Sequence, residues 1–593
     1  MQDLFGALTT DGDAVGNRLP PVRPDDLLGG RLRLNAEYVH SEGGIAIALR
    51  GRPRDTRSPA PPSRLLQHLH ARYAEVGPAL FEQLRGSFAL AIVDSRSNSV
   101  LLAIDRMGIE TLSWSFGRGM FLFGTSATEV AASMGARPTL NRQALFDFML
   151  GHMVAAPDTA YVGVNRLPAA TYLELKAGTT RLQRYWAPDF RRPSGLNVDA
   201  LADEVLPTLS RAVQHTDSTE RSGTFLSGGL DSSTVTGLFA KSRDGGSDAF
   251  SVAFGVDEYN ELSYARIAAS KFGCRHHVYE VVPADIVELL PTIAAAYDSP
   301  FGNSSAVPTM CCARFAKNNG MDHLLAGDGG DEIFGGNSRY VTQKVFEAYG
   351  RVPRWLRSGL IEPVATSLQG RSLPWPIRKG VSYVQQARVP LPERFETWNL
   401  FYREGMASTF DPDFLASIDL EHPMRKMREA WESCPSPELL DRMLWYDWKY
   451  TLADNDLRKV SRTCELAGVR VSYPMLDEDV VDLSIRVPSN VKIAGGELRT
   501  FFKRSVRDFL PGEIIAKKKH GFGLPFGQWL KTYEPLQEIV YDCMGGLKQR
   551  AILSRGFIDR VAEEHRTGHA SYYGYAIWDM VTLELWLRSH EHA

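Results

Sequence analysis

Residues 227–233 read Ser-Gly-Gly-Leu-Asp-Ser-Ser and follow the apolar Thr224-Phe225-Leu226. A short apolar run, a glycine-rich turn and a helix make a loop whose backbone N–H groups can face a polyanion. Gly228 and Gly229 allow close approach of the backbone. Ser227, Ser232 and Ser233 add hydroxyl donors. No Lys follows the glycines, which excludes the GxxxxGK[ST] loop of ordinary NTPases. Asp231 repels phosphate unless a divalent cation lies between them, so the expected ligand is a nucleotide pyrophosphate bridged by Mg2+. The competing reading is an ordinary Ser/Gly turn. A second acidic segment, Gly-Asp-Gly-Gly-Asp-Glu at 327–332, follows Leu324-Leu325-Ala326. Either Asp331 completes the Mg2+ shell begun by Asp231, or the segment is a solvated acidic turn.

In combination the two motifs resemble the asparagine synthetase superfamily of ATP pyrophosphatase enzymes. The resemblance continues through FSVAF at 250–254, ELSYAR at 261–266, Pro474-Met475-Leu476-Asp477 (the family's PFLD) and KKKHGFGLPFGQWL at 517–530. It implies that Asp231 and Asp331 hold Mg2+ and that Lys519 stabilises charge during adenylation and amide formation. It places ATP against Leu226, Ser227, Gly228, Gly229, Asp231, Ser232, Val252, Glu261 and Gly327. It also puts Asp328 where asparagine synthetases carry an acid, either as the base for the attacking amine or as a group that serves only the metal. Such enzymes convert ATP to AMP and pyrophosphate, because a carboxylate must become an acyl adenylate before an amine can displace its oxygen.

The N-terminal part resembles the glutaminase domain of the same enzymes, with its chemistry removed. The family begins MCGIFG, and that Cys is the nucleophile. Here the chain reads MQDLFG, and Gln2 has no ionisable thiol. The family's NGE segment, which holds glutamine, corresponds to Arg50-Gly51-Arg52, with cations in place of the polar and acidic partners. LRGSFALAIVD at 84–94 keeps the structural strand pair, and Ile104-Asp105 stands where Arg-Asp is usual. Lasso peptide cyclases resemble this combination. They adenylate an Asp or Glu side chain of a core peptide and join it to that peptide's N-terminal amine, beside a leader peptidase and a leader-binding protein. β-Lactam synthetases close a small ring similarly, but they carry Tyr where Asp328 stands. An asparagine synthetase-like enzyme using free ammonia or another amine is the alternative. A non-catalytic scaffold paralogue is disfavoured by the joint retention of Asp231, Asp331 and Lys519.

These residues need a scaffold of two domains, and 593 residues exceed one compact core. The expected fold is α/β. Residues 1–190 form a degenerate class II glutamine amidotransferase-like domain, an N-terminal-nucleophile-type α+β sandwich. Residues 200–593 form an asparagine synthetase-like ATP pyrophosphatase domain with a parallel sheet and a largely helical second half. A linker is expected at 187–199, where Pro188, Pro193 and Gly195 fall. Short alternating runs such as FALAIVD at 88–94, with Gly and Pro punctuation, suggest packed β-sheets with a few helices before it. Thr224–Leu226, Ala249–Phe254 and Leu324–Ala326 are the expected parallel strands, with a ligand crevice at their C-terminal ends. The 340–450 region reads as helical, and its aromatic and basic residues, Trp355, Trp375 and Trp398 among them, are assigned to core packing and solvated faces, with substrate docking as the alternative. A net charge of −3 gives no reason to propose nucleic acid. No apolar run of about 18 residues suggests a membrane span, and no secretory signal precedes the first motif. The six cysteines have no zinc spacing and read as reduced cytoplasmic thiols.

Overall fold

The computed structural model describes residues 3–9, 32–56, 64–135, 137–192, 195–216, 221–243, 246–368, 374–518, 521 and 523–591. The N-terminal portion stacks two antiparallel sheets. One has five strands in the order Asn165–Arg166, Ser113–Gly117, Met120–Gly124, Phe5–Thr9, Leu32–Asn35. The other has six, in the order Thr179–Arg184, Thr171–Lys176, Ser99–Ile104, Phe88–Asp94, Ile45–Gly51, Tyr38–Glu42. Phe121, Phe123, Ala46, Ala89 and Leu102 fill the space between the sheets. Helix Leu65–Val76 covers the outer face of the second sheet through Leu69 and Tyr73 on Ile45, Ile47 and Leu90. Helices Ala127–Ala132 and Arg142–Gly151 cover the outer face of the first. Strand Phe88–Asp94 is therefore covered on both faces, and all seven of its residues are buried.

The C-terminal portion carries a five-stranded parallel sheet in the order Arg275–Val281, Asp248–Phe254, Ser222–Phe225, His323–Leu325, Arg470–Ser472. The three expected strands are present, displaced by one or two residues at their ends. The two outer strands escaped the sequence reading. One is polar and half exposed, the other only three residues long. The rest is predominantly helical and ends in the long helix Ala570–His590.

Two expectations need correction. Residues 187–192 are not a free linker. Phe190 is buried, and the guanidinium of Arg192 makes a two-pronged pair with buried Asp441 at 2.8 and 2.9 Å. Trp355, Trp375 and Trp398 are 75%, 60% and 60% exposed, so none of them packs the core. Helix Trp375–Arg388 buries no residue, which is why aromatic content there did not signal burial. No helix among the described residues is long and apolar enough to cross a membrane.

The two portions share one apolar core. Phe146 packs on Phe410 with ring centroids 4.9 Å apart, and Tyr161 lies against Trp586. The imidazole Nδ1 of His152 lies 2.7 Å from the carboxylate of Asp579, which is 1% exposed.

Candidate active site

The loop 227–233 leaves the sheet at Phe225 and enters helix Leu230–Lys241, with Gly229 as its N-cap. Gly228 sits at φ +74°, and a Cβ there would strike the backbone of Ala265. No other residue type fits this position without strain. Serine hydroxyls brace the turn internally. Ser227 Oγ and Ser232 Oγ are 2.9 Å apart, and Ser227 N and Gly229 N donate to Ser232 Oγ and Ser227 Oγ respectively. The side chain of Leu226 is buried in the core and its N–H donates to the Phe250 carbonyl, so its side chain faces away from the crevice. Val252 lies mid-strand and is half-buried.

The second acidic segment packs directly on the first. A Cβ on Gly327 would lie 2.6 Å from Ser232 N, and one on Gly330 would meet the carboxylate of Asp231. These glycines serve loop-on-loop packing, a role that the sequence pattern did not announce. The packing brings Asp231 and Asp331 to one guanidinium. Arg499 Nη2 lies 2.6 Å from Asp231 Oδ2 and 2.6 Å from Asp331 Oδ1. Arg499 is 5% exposed and has a left-handed backbone (φ +59°). No local motif marks it; it follows a Gly495-Gly496 turn and reaches the site only through the tertiary fold.

Further ionisable groups surround this centre. Burial raises the pKa of Asp328 to about 6, against the pull of Lys459. Burial likewise raises Glu332 to about 7. Lys459 is buried and holds Asp456 at 2.9 Å. Asp456 ends a nine-residue π-helix, Trp448–Asp456. Such wide turns are rare and concentrate at functional sites. The same turn places Asn455 on Asn303 at 2.8 Å and aims Trp448 Nε1 at the Glu332 carbonyl at 3.0 Å. Neither Lys459 nor the π-helix was legible in the sequence. Glu261 pairs with Lys517 at 2.8 Å, and Lys517 Nζ also lies 3.4 Å from the Gly228 carbonyl. The basic C-terminal signature therefore returns to the glycine loop, although Lys519 itself lies outside the described residues.

The centre fits a divalent cation by charge, with the guanidinium of Arg499 lying between Asp231 and Asp331. Asp231, Asp328, Asp331, Glu332 and Asp456 are opposed by Arg499 and Lys459. Asp231 Oδ1 is buried with no hydrogen-bond partner among the described residues. Excess buried carboxylate and an orphaned carboxylate oxygen are what a hard, oxygen-seeking ion relieves.

The asparagine synthase family model matches residues 204–588, more than half of the chain. The chain belongs to the asparagine synthase family. A glutamine amidotransferase domain model matches residues 67–186. The putative glutamine-hydrolysing asparagine synthetase of Mycobacterium tuberculosis is 26% identical over 532 residues, covering 87% of this chain and 78% of the relative. Asparagine synthetase 1 of Bacillus subtilis is 24% identical, covering 87% and 80%. Asparagine synthetase B of Escherichia coli is 26% identical over 287 residues, covering 45% and 46%. The family is one of ATP-dependent amide-forming ligases, and this chain is a ligase of that type.

The amidotransferase-like portion meets the synthetase portion around a cavity of about 1050 Å³. At its wall, Arg50 is surrounded by three carboxylates. Its Nη1 lies 2.5 Å from Asp3 Oδ1, its Nε 3.0 Å from Glu110 Oε2, and its Nη2 3.0 Å from Glu465 Oε1. Arg50 is 8% exposed, and the three charges hold it firmly protonated. Gly51, at φ +97°, keeps its glycine because a Cβ would meet the Ser87 carbonyl. Arg52 is exposed at the cavity rim. Asp105 accepts from the backbone N–H groups of Phe88, Met107, Ile109 and Glu110, and so shapes the turn that presents Glu110. Gln2 lies outside the described residues.

Proposed function

We propose that this enzyme activates a carboxylate by adenylation and joins it to an amine it does not obtain from glutamine, with a peptide closing its own ring as the preferred reaction. The observation that carries the first half is Arg50. Its guanidinium stands at the sequence position where the family holds the glutamine amide, and three carboxylates fix it there. Gln2 in place of the nucleophile supports the same reading. The pattern of a silenced amidotransferase portion beside an intact synthetase site is that of lasso peptide cyclases. On this reading the acceptor is an Asp or Glu side chain of a core peptide, the donor is its N-terminal amine, and a leader peptidase and leader-binding protein act beforehand. The names of the relatives favour a second reading, asparagine synthetase-like amide formation, here fed by free ammonia.

In the proposed mechanism, the loop 227–233 binds ATP through its N–H groups and hydroxyls. Asp231 and Asp331 would hold Mg2+, which when bound offsets the charge of the pyrophosphate. Arg499 orients both carboxylates and adds a fixed positive charge beside the departing phosphates. Asp328, with its pKa raised toward neutrality, accepts the proton of the attacking amine. Lys519 is assigned to the oxyanion.

The test is mass spectrometry of a core peptide incubated with enzyme, Mg2+ and ATP, with and without 15N-ammonium. Ring closure yields a product about 18 Da lighter, indifferent to ammonium, because both reacting ends share one cavity and a high effective concentration. Incorporation of 15N overturns the ring-closure reading in favour of the ammonia-fed one. Release of ammonia from glutamine overturns both.

A further inference from the structure

The amidotransferase-like portion carries a second, unrelated constellation. His40 and Glu42 alternate along the strand Tyr38–Glu42, which forms one edge of the six-stranded sheet. They pair with Ile47 and Ile45 on the neighbouring strand, so all four side chains share one face. Ile45 and Ile47 lie under helix Leu65–Val76 among Leu69 and Tyr73. At the edge strand this apolar contact gives way to His40 and Glu42, and the helix answers with His70. The two imidazoles are 5.4 Å apart, edge to face. One candidate ligand atom from each of the three residues falls within 4.8 Å of the others.

Hydrogen bonding leaves this group incomplete. His40 Nε2 is buried and has no hydrogen-bond partner among the described residues. Its nearest acceptor, Glu42 Oε2, is 3.5 Å away. That is long for a hydrogen bond, yet close to the separation of about 3.3 Å that two ligands at about 2.0 Å from a tetrahedral ion must have. His70 Nε2 lies 2.9 Å from the Glu42 carbonyl. A carbonyl only accepts, so the ring proton sits on Nε2 and Nδ1 carries a free lone pair. Donation of one imidazole N–H to a backbone carbonyl is the usual way a metal-ligating histidine is oriented. The other ligand-like cluster, Asp147, Asp158 and His422, differs in that Lys426 already pairs with Asp158 and His422 with Asp147.

We propose that His40, Glu42 and His70 form a three-ligand Zn2+ site that pins helix Leu65–Val76 to the edge strand. Two imidazoles and a carboxylate suit zinc, whereas magnesium prefers an all-oxygen shell. The exposed side of Glu42 leaves the fourth position to solvent. Binding there would tie down an edge otherwise open to strand pairing.

The experiment is calorimetric titration of ZnCl2 into full-length, chelator-treated enzyme, alongside His40→Ala, His70→Ala, Glu42→Gln and, as a control, Asp147→Asn. Wild type and Asp147→Asn are expected to share a binding event that Mg2+ does not compete away. Glu42→Gln changes a largely exposed side chain and should weaken that event by at least the roughly 10–100-fold seen for outer-sphere partners. His40→Ala and His70→Ala should abolish it. Zinc binding unchanged in Glu42→Gln and both histidine variants, or no zinc-specific event in wild type, overturns the proposal.

Discussion

Replacing Arg50 by Ala removes the one cation shared by Asp3, Glu110 and Glu465. The loss is not uniform over the three. Asp3 is 44% exposed, and water can take over most of its solvation. Glu465 keeps Arg462 at 2.7 Å. Glu110 is left with no charged partner among the described residues, and burial already pushes its pKa upward against the pull of Arg50. Breaking a buried ion pair costs about 3–5 kcal/mol. The lower end, about 3 kcal/mol, applies here because two of the three carboxylates retain other solvation. Since Glu465 belongs to the synthetase portion, part of this loss should be coupling between the portions. The assay is denaturant unfolding of Arg50→Ala, Glu465→Gln and the double variant. The double-mutant cycle should give a coupling of about 1.5 kcal/mol or more, as close charge pairs do elsewhere. A coupling indistinguishable from zero, with Arg50→Ala as stable as wild type, would refute the view that Arg50 is a cross-portion tie. Arg50→Ala should also remain without glutaminase activity, because the nucleophile position is still Gln2.

Three further outcomes follow from the geometry. Asp231→Asn and Asp331→Asn should each abolish formation of AMP and pyrophosphate, measured by radiolabelled pyrophosphate exchange; ADP as the main product would contradict the loop assignment. Arg499→Ala should lower kcat by roughly 10²-fold, the scale of losing one fixed electrostatic donor, with stability measured in parallel to separate a folding defect. His152 gains its partner Asp579 on folding, and that charge raises its pKa from 6.5 to about 9. A raised histidine pKa contributes stability that is complete below pH 6.5 and is lost as pH rises through about 9. Thermal unfolding from pH 6 to 9.5 should show that decline, and His152→Ala should flatten it.

The glycine loop was readable because its chemistry is local: backbone N–H groups, glycine freedom and a following helix occupy seven consecutive positions. The partnership of Asp231 with Asp331 was one of two readings the acidic residues offered, and the resemblance favoured it. The cation between them was not readable at all, since Arg499 arrives from a distant turn with an ordinary composition. Lys459 and Asp456 were hidden for a similar reason, because a π-helix has no hydrophobic period that distinguishes it from an α-helix. In the sheet, central strands announced themselves by continuous apolar runs. Arg275–Val281 and Arg470–Ser472 did not, one being polar at an edge and the other too short for any period.

The apolar core spanning both portions bears on how such a protein can change over time. Phe5, Phe146 and Phe148 lie in the same cluster as Phe410, Trp578 and Trp586. Deleting the amidotransferase-like portion would lay its partners in that cluster bare to water, at about 25 cal/mol for each Å² exposed. A portion that supplies one side of its neighbour's interior cannot simply be shed, whatever becomes of its own chemistry. It persists as scaffolding, and its surface and edges are left free to acquire new uses.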